Sequence, residues 1–264
     1  MEISKVMLHY GEEPFLTHNG PSGAIFFAGC NLKCVYCQNY NISNGNGKTV
    51  TVETLVNLFK QLEAAGANNI DLVTPTHFSD LIYDALKMYK PQIPVIYNCG
   101  GYESVATIKK LCNVVDIFLF DLKYYNDSLA IKYSSAPNYF TFATTAINTA
   151  LKLKTNKYNA NQLIQGVAIR HLCLPSHTQD SLSILNWIAQ TDPTLPVSIM
   201  SQYVPMHKAA SYDEINRPLR PLEYKIVVNH AKKLKLNNAF VQELCSNSTE
   251  MVPDFNLQDK QFKY

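Results

Sequence analysis

Along the chain, short runs of β-branched and aromatic residues alternate with longer runs whose apolar positions recur at helical spacing. The first such run, AIFFA, predicts a strand over 24–28, and a polar stretch follows as far as Lys48. Leu55, Leu58, Phe59 and Leu62 fall on one face of a predicted helix over 52–65, with Gly66 where a helix C-cap belongs. The alternation then repeats. Strands are predicted over 70–73, 94–97, 115–120, 165–174 and 196–200, and a short one over 239–244. Helices are predicted over 80–89, 103–111, 128–132, 139–153, 181–189 and 222–234.

Six strand–helix units in succession predict a parallel sheet covered by helices. Eight would close a full barrel, so six predict an open, partial (β/α)6 TIM-like barrel. We expect one domain over 1–264, with a lead over 1–23, the barrel over 24–245 and a tail over 246–264. Chemistry in such barrels sits just past the C-terminal ends of the strands. Those ends carry Gly29-Cys30, Thr74 to His77, Asn98-Cys99, Asp121 to Lys123, Arg170-His171, and Ser201 to Tyr203. Polar or ligating groups at every end favour one shared site.

Composition narrows the class. With 47% hydrophobic and 17% charged residues the chain is globular in type, and a net charge of +2 excludes a nucleic-acid reader working by bulk charge. No run approaches the roughly 20 apolar residues of a membrane helix. Glu2, Lys5 and His9 interrupt the first ten residues, which do not read as a signal peptide. The seven cysteines are an odd number for a secreted disulfide framework, and we expect a reducing, cytoplasmic setting.

Three of those cysteines, Cys30, Cys34 and Cys37, stand within GCNLKCVYCQN at C-x3-C-x2-C spacing. One tight loop can bring three such thiolates onto a small metal body, and soft thiolates suit zinc or an iron–sulfur cluster. A structural zinc site wants four protein ligands, and no fourth lies near in sequence. A [4Fe–4S] cube held by three cysteines leaves one iron open to bind a substrate or cofactor. The bland alternative is three cysteines with no metal.

The C-x3-C-x2-C loop directly after a first strand resembles the signature of the radical S-adenosylmethionine (SAM) superfamily. Within it, the chain is most similar to the activating enzymes of pyruvate formate-lyase and their activating-enzyme-like iron–sulfur relatives. The stretches that carry this likeness include HYGEEP (9–14), GAIFFAGCNLKCVYCQNYNIS (23–43), VTPTHF (73–78), DIFLFDLKY (116–124), IRHLCLP (169–175) and MSQYVPMHKA (200–209). The resemblance implies that Cys30, Cys34 and Cys37 hold a [4Fe–4S] cluster whose open iron chelates SAM. One electron then cleaves SAM to methionine and a 5′-deoxyadenosyl radical, which abstracts hydrogen from a substrate; a glycyl radical enzyme or another polypeptide fits the resemblance, and a small molecule stays open. It implies reduced flavodoxin or ferredoxin as electron donor.

It also implies SAM contacts. Tyr36 matches the aromatic residue on the adenine. Thr74 and Thr76 stand where relatives carry a Gly-Gly-Glu motif for the amino group. Asn98 replaces an aspartate in the region where activases bind a monovalent cation. Asp121 and Lys123 match Asp-Leu-Lys after the fourth strand. Arg170 matches a strand-five arginine, and His207, with Gln202, lies where SAM packs after strand six. His77 and His171 are expected at the mouth. Cys112 and Cys173 read as core, Cys245 as core or surface, and His9, His18, His177 and His230 as surface residues. The competing class is a non-catalytic electron-transfer or structural metal-binding protein, against which the missing fourth ligand and the polar ring both weigh.

Overall fold

The computed structural model describes residues 1–17, 20–243, 253–255 and 261–264. The strands are β1 (Glu2–His9), β2 (Ser22–Phe27), β3 (Lys48–Thr49), β4 (Ile70–Val73), β5 (Val95–Cys99), β6 (Ile117–Asp121), β7 (Lys157–Asn159), β8 (Gln162–Leu172), β9 (Val197–Met200) and β10 (Ala239–Val241). They form one sheet in the order β10-β9-β8-β6-β5-β4-β2-β1-β3, with β7 hairpinned onto β8. From β2 to β10 the neighbours are parallel. The two ends of the sheet do not pair with each other among the described residues. It is a mostly parallel α/β sheet, open rather than closed.

Helices α1 (Pro14–Thr17), α2 (Tyr40–Ser43), α3 (Val52–Ala64), α4 (Ser79–Met88), α5 (Val105–Leu111), α6 (Asp127–Ser134), α7 (Tyr139–Leu153), α8 (Thr178–Thr191) and α9 (Pro221–Lys233) fill the connections. Their starts follow side-chain chemistry. Thr51 Oγ1 accepts from Thr54 N–H at 3.2 Å and Ser104 Oγ from Thr107 N–H at 3.0 Å, satisfying donors the helix itself leaves free. Gly66 takes a positive φ of 84° just past α3, as the predicted C-cap requires.

Strand residues alternate faces. One face is mostly apolar. Phe27, Leu72, Tyr97, Phe118, Val167 and Ile199 join a core cluster with Leu58, Phe59, Ile108, Ile147 and Ile184 of the outer helices. The other face looks into the barrel and is layered. Ile96, Ile117, Leu119 and Ala168 pack with Phe15 and Leu16 of α1 at its floor. The same face also carries Asp71, Asn98, Asp121, Arg170 and Ser198, the first four joined by hydrogen bonds.

The N-terminal lead is therefore part of the fold. β1 pairs antiparallel with β2, and the turn after it drops α1 into the barrel, where Phe15 and Leu16 are buried. Its strand is antiparallel and its helix is a single turn, so a search for strand–helix units passes over it. The tail contributes too: Phe255 meets Phe26 edge-on at 5.5 Å, and Phe262 is buried. Helix α8 extends beyond the predicted span at both ends. Strand β10 covers 239–241, and Leu244 of the expected span lies outside the described residues.

Replacing Phe15 by Ala should cost about 3–5 kcal/mol of folding free energy, because it empties the barrel floor. The denaturant midpoint in an unfolding titration measures this, and a change within error would remove α1 from the core.

Candidate functional site

At the C-terminal ends of the parallel strands lies a cavity of about 250 Å³. The loop after β2 supplies Cys30, Cys34 and Cys37 to its wall, all three half-buried. Two main-chain hydrogen bonds anchor this loop: Lys33 N–H donates to Ser134 O at 3.0 Å and Val35 N–H to Tyr133 O at 2.8 Å. The end of α6 thus holds the residues on either side of Cys34. Gly29, at φ 88°, opens the loop, and a Cβ there would come within 3.2 Å of His77 Nε2. His77 meets Ala28 O at 2.6 Å instead of reaching the cavity wall.

The sulfurs feel one another. Burial, then the Cys34 and Cys30 sulfurs, push the Cys37 thiol up to about 12, and burial with Cys34 raises Cys30 as well. Thiols raised in this way ionise readily only beside a positive body. Among the described residues, no three His, Cys, Asp or Glu side chains converge as the ligands of a single metal ion must. Three soft thiolates on one loop at the wall of a cavity are a donor set that fits a [4Fe–4S] cluster with one iron open to a further ligand. Cys99 also lines the cavity, and burial, then the charge of Glu103, raise its thiol well above the ordinary range.

Below the loop runs a continuous polar layer. Arg170 on β8 donates through Nε to Asp121 Oδ1 at 2.9 Å and through Nη2 to Asn98 Oδ1 at 2.6 Å. Asn98 Nδ2 donates to Asp71 Oδ2 at 3.1 Å, and Lys123 Nζ to Asp121 Oδ2 at 2.6 Å. Register explains the central pair: Asp121 and Arg170 are direct partners across β6 and β8. Burial alone would raise Asp121, but Arg170 and Lys123 outweigh it and hold the carboxyl down at about 2. Burial likewise opposes the Arg170 and Lys123 charges. Asp121 overcomes it in both, joined by Glu12 for Arg170 and Cys34 for Lys123, so both hold their protons more tightly than usual.

Of the residues expected from sequence, the cavity wall brings together Tyr36, Thr74, Asn98, Asp121, Lys123, Arg170 and Gln202 with the three cysteines. Thr74 adopts φ 58°, a strained conformation for a β-branched residue, and donates its N–H to Asn98 O at 2.9 Å. Gln202 accepts from Gln38 through its carbonyl at 3.1 Å and from Gln242 through its side chain at 3.2 Å.

Thr76, His207 and His171 are not on that wall. Thr76 lies in a 3-10 turn and donates to Glu103. His207 is exposed and stacks on Tyr40, with ring centroids 5.2 Å apart. His171 is a correction with a simple cause. Since Arg170 faces the barrel interior, its neighbour faces the helices. There His171 bonds Leu122 O and Ser181 Oγ, each at 2.8 Å, and burial lowers it to about 4.

Other placements also differ from expectation. His9 lines the cavity. His177 and His230 are half-buried and bonded, to the Tyr133 hydroxyl and to Asn186, both at 2.8 Å. Cys173 is buried, whereas Cys112 is only half-buried, its thiol donating to Lys109 O at 3.0 Å. His18 and Cys245 lie outside the described residues.

The sequence reading missed Glu12 and Glu13, which enter the cavity from the turn above α1. Glu12 Oε2 stands 4.0 Å from Arg170 Nη1, and burial raises Glu13 to about 7. Two adjacent carboxylates in HYGEEP were a visible signal. It missed Tyr139 as well, whose buried hydroxyl sits between the carbonyls of Gly100 and Asp121 at 2.8 and 2.7 Å and accepts from Lys123 N–H at 3.0 Å. That hydroxyl pins the ends of β5 and β6 together. Gly101 packs so closely beside them, at φ 82°, that a Cβ would fall 2.4 Å from Asp121 O.

A partial parallel barrel, with three clustered cysteines on the loop after its first parallel strand and a polar cavity beneath them, defines a radical SAM protein. The family model for the radical SAM superfamily matches residues 24–187, and the chain belongs to that superfamily. An uncharacterized protein of Methanocaldococcus jannaschii is 32% identical over 89% of this chain and 68% of its own length. Methylornithine synthase superposes with a TM-score of 0.55 at 16% identity, covering 81% of this chain and 61% of that one. The Streptococcus suis protein SuiB bound to S-adenosylmethionine gives 0.55 at 12%, covering 81% and 48%. This chain thus spans about half to three fifths of those two structures. Members of the superfamily use a [4Fe–4S] cluster and SAM, which they cleave to a radical. Among the described residues no helix is long and apolar enough to cross a membrane.

Burial holds Glu103 at about 7, against 4.5 for an ordinary glutamate, so the folded state binds the extra proton between those values. Its contribution to stability is full below about pH 4.5 and is lost as pH rises through about 7. Glu103→Gln should therefore flatten the fall in stability between pH 4.5 and 7. Unfolding titrations across that range measure it, and an unchanged slope would exclude Glu103 as the source.

Proposed function

We propose that this chain is an activating-enzyme-like radical SAM enzyme that abstracts hydrogen from a polypeptide. Cys30, Cys34 and Cys37 would hold the cluster. When bound, that cluster would supply the one electron that cleaves SAM to methionine and a 5′-deoxyadenosyl radical.

The chain's own residues divide the remaining work. Arg170 and Lys123 present positive charge toward the SAM carboxylate, and Asp121 keeps both side chains in place. Asn98 and Thr74 supply neutral oxygens for its ammonium group, with Glu12 adding a negative charge nearby. Tyr36 offers a ring face to the adenine, and Gln202 a polar edge beside it. Thr76 and His207 are left outside this assignment. The apolar floor under Arg170 and the cysteine loop above it limit water around the bound ligand, which protects a reactive radical.

The observation that carries the polypeptide reading is the open sheet. A cavity at the C-terminal rim of a sheet that does not close can be approached from the side by a chain segment. The SuiB fold, seen elsewhere bound to its precursor peptide SuiA, shares this architecture at 13% identity. The stretches that resemble activating enzymes point the same way. Reduced flavodoxin or ferredoxin is the electron donor we expect. A purely electron-transferring protein has no use for a ligand cavity against its cluster.

Anaerobic reconstitution with iron and sulfide, followed by SAM and dithionite, should give 5′-deoxyadenosine detectable by mass spectrometry. Cys34→Ala should lose the cluster and reduce product to the level without enzyme, a larger drop than the roughly 10–100-fold that losing a hydrogen-bond partner of a metal ligand costs. Full cleavage by that variant would overturn the ligand assignment. Deuterium from a labelled peptide appearing in 5′-deoxyadenosine would support the polypeptide reading, while transfer only from a small molecule would overturn it.

A further inference from the structure

The Cys34 sulfur has a neighbour that none of the site residues above explains. Ser134, the last residue of α6, places its Oγ 3.0 Å from Cys34 Sγ. The Tyr124 hydroxyl lies 2.7 Å from that Oγ, and the Tyr36 hydroxyl 2.6 Å from Tyr124. Ser134, Tyr124 and Tyr36 are all buried. The row runs from a cysteine sulfur to an aromatic ring on the cavity wall.

Its direction follows from counting protons. A thiolate bound to iron has none to give and only accepts. Ser134 has one hydroxyl proton and must spend it on Cys34. Its oxygen then receives the Tyr124 proton, and the Tyr124 oxygen receives that of Tyr36. Each hydroxyl polarises the next, and all three point toward the sulfur. A tyrosine hydroxyl keeps its proton at neutral pH, so both can donate. The backbone keeps the row in register, because Lys33 and Val35 bond to Ser134 O and Tyr133 O on either side of Cys34.

Resting on the assignment of Cys34 as a cluster ligand, we propose that Ser134 is a positioning residue whose hydroxyl raises the reduction potential of the cluster, with Tyr124 and Tyr36 ordering its proton. A donor on a ligand sulfur draws electron density from the iron and favours the reduced, more negative cluster. Because Tyr36 lines the cavity, the same row couples a ligand packed on that ring to the cluster sulfur.

The test is a potentiometric titration of the reconstituted full-length protein, read by the electron paramagnetic resonance signal of the reduced cluster. Ser134→Ala should keep its iron and sulfide but shift to a more negative potential, so that the reduced fraction at the wild-type midpoint falls several-fold. Ser134→Thr, which retains the hydroxyl, should restore the wild-type value. Tyr124→Phe should shift the same way by a smaller amount. An unchanged potential in Ser134→Ala with a full cluster overturns the inference and leaves the ligand assignment standing. Failure of the unaltered protein to hold a cluster overturns both. If Ser134→Ala loses iron, Tyr124→Phe decides: a negative shift upholds the inference and no shift overturns it.

Discussion

Arg170 carries a permanent charge into the interior of a barrel, and the site is organised around keeping that charge compensated. A guanidinium removed from water is costly unless its donors are met by oxygens and its charge by carboxylates. Here Asp121 meets it across the adjacent strand, Asn98 from the strand beyond, and Glu12 from the N-terminal turn. Asp121 in turn holds Lys123, and Asn98 holds Asp71. Strands β4, β5, β6 and β8 and the turn above α1 are thereby tied at one height. This layer separates an apolar floor from a cavity suited to a charged ligand.

The cysteine loop rests on this base but is set by other contacts. Its backbone hangs from the end of α6, and its thiols face the cavity that the charged layer closes from below. Metal-ligating loops work when the protein fixes sulfur positions before the metal arrives, and here main-chain hydrogen bonds do much of that fixing. The hydroxyl row from Tyr36 to Cys34 uses the same attachment. α6, short and far in sequence from the cysteines, therefore shapes both the loop and its electronic surroundings.

Much of the fold was legible from pattern. Parallel strands buried on both sides read as apolar runs, and the helices between them repeat at their own period, so six strand–helix units stood out. β1, α1 and the β7 hairpin did not, because none belongs to such a unit. At the site, strand ends indicated the region and the alternation of faces sorted its members. Arg170 and His171 are adjacent in sequence and lie on opposite sides of the sheet. The alternation rule was available to separate them, but it needed one residue anchored to a face first.

The sequence by itself determined the class: C-x3-C-x2-C after a strand, in a chain of repeating strand–helix units, belongs to a radical SAM protein. Local order suffices there, since three thiolates on one short loop are neighbours whatever the rest of the chain does. Only the tertiary structure decided which distant residues meet them. The pairing of Asp121 with Arg170 depends on register between strands, and the entry of Glu12 and Glu13 depends on α1 filling the barrel floor. The contact of Ser134 with Cys34 depends on where one helix ends. Such contacts join residues separated by 49 to 158 positions in the chain. Long-range packing sets them, and no spacing along the chain encodes it.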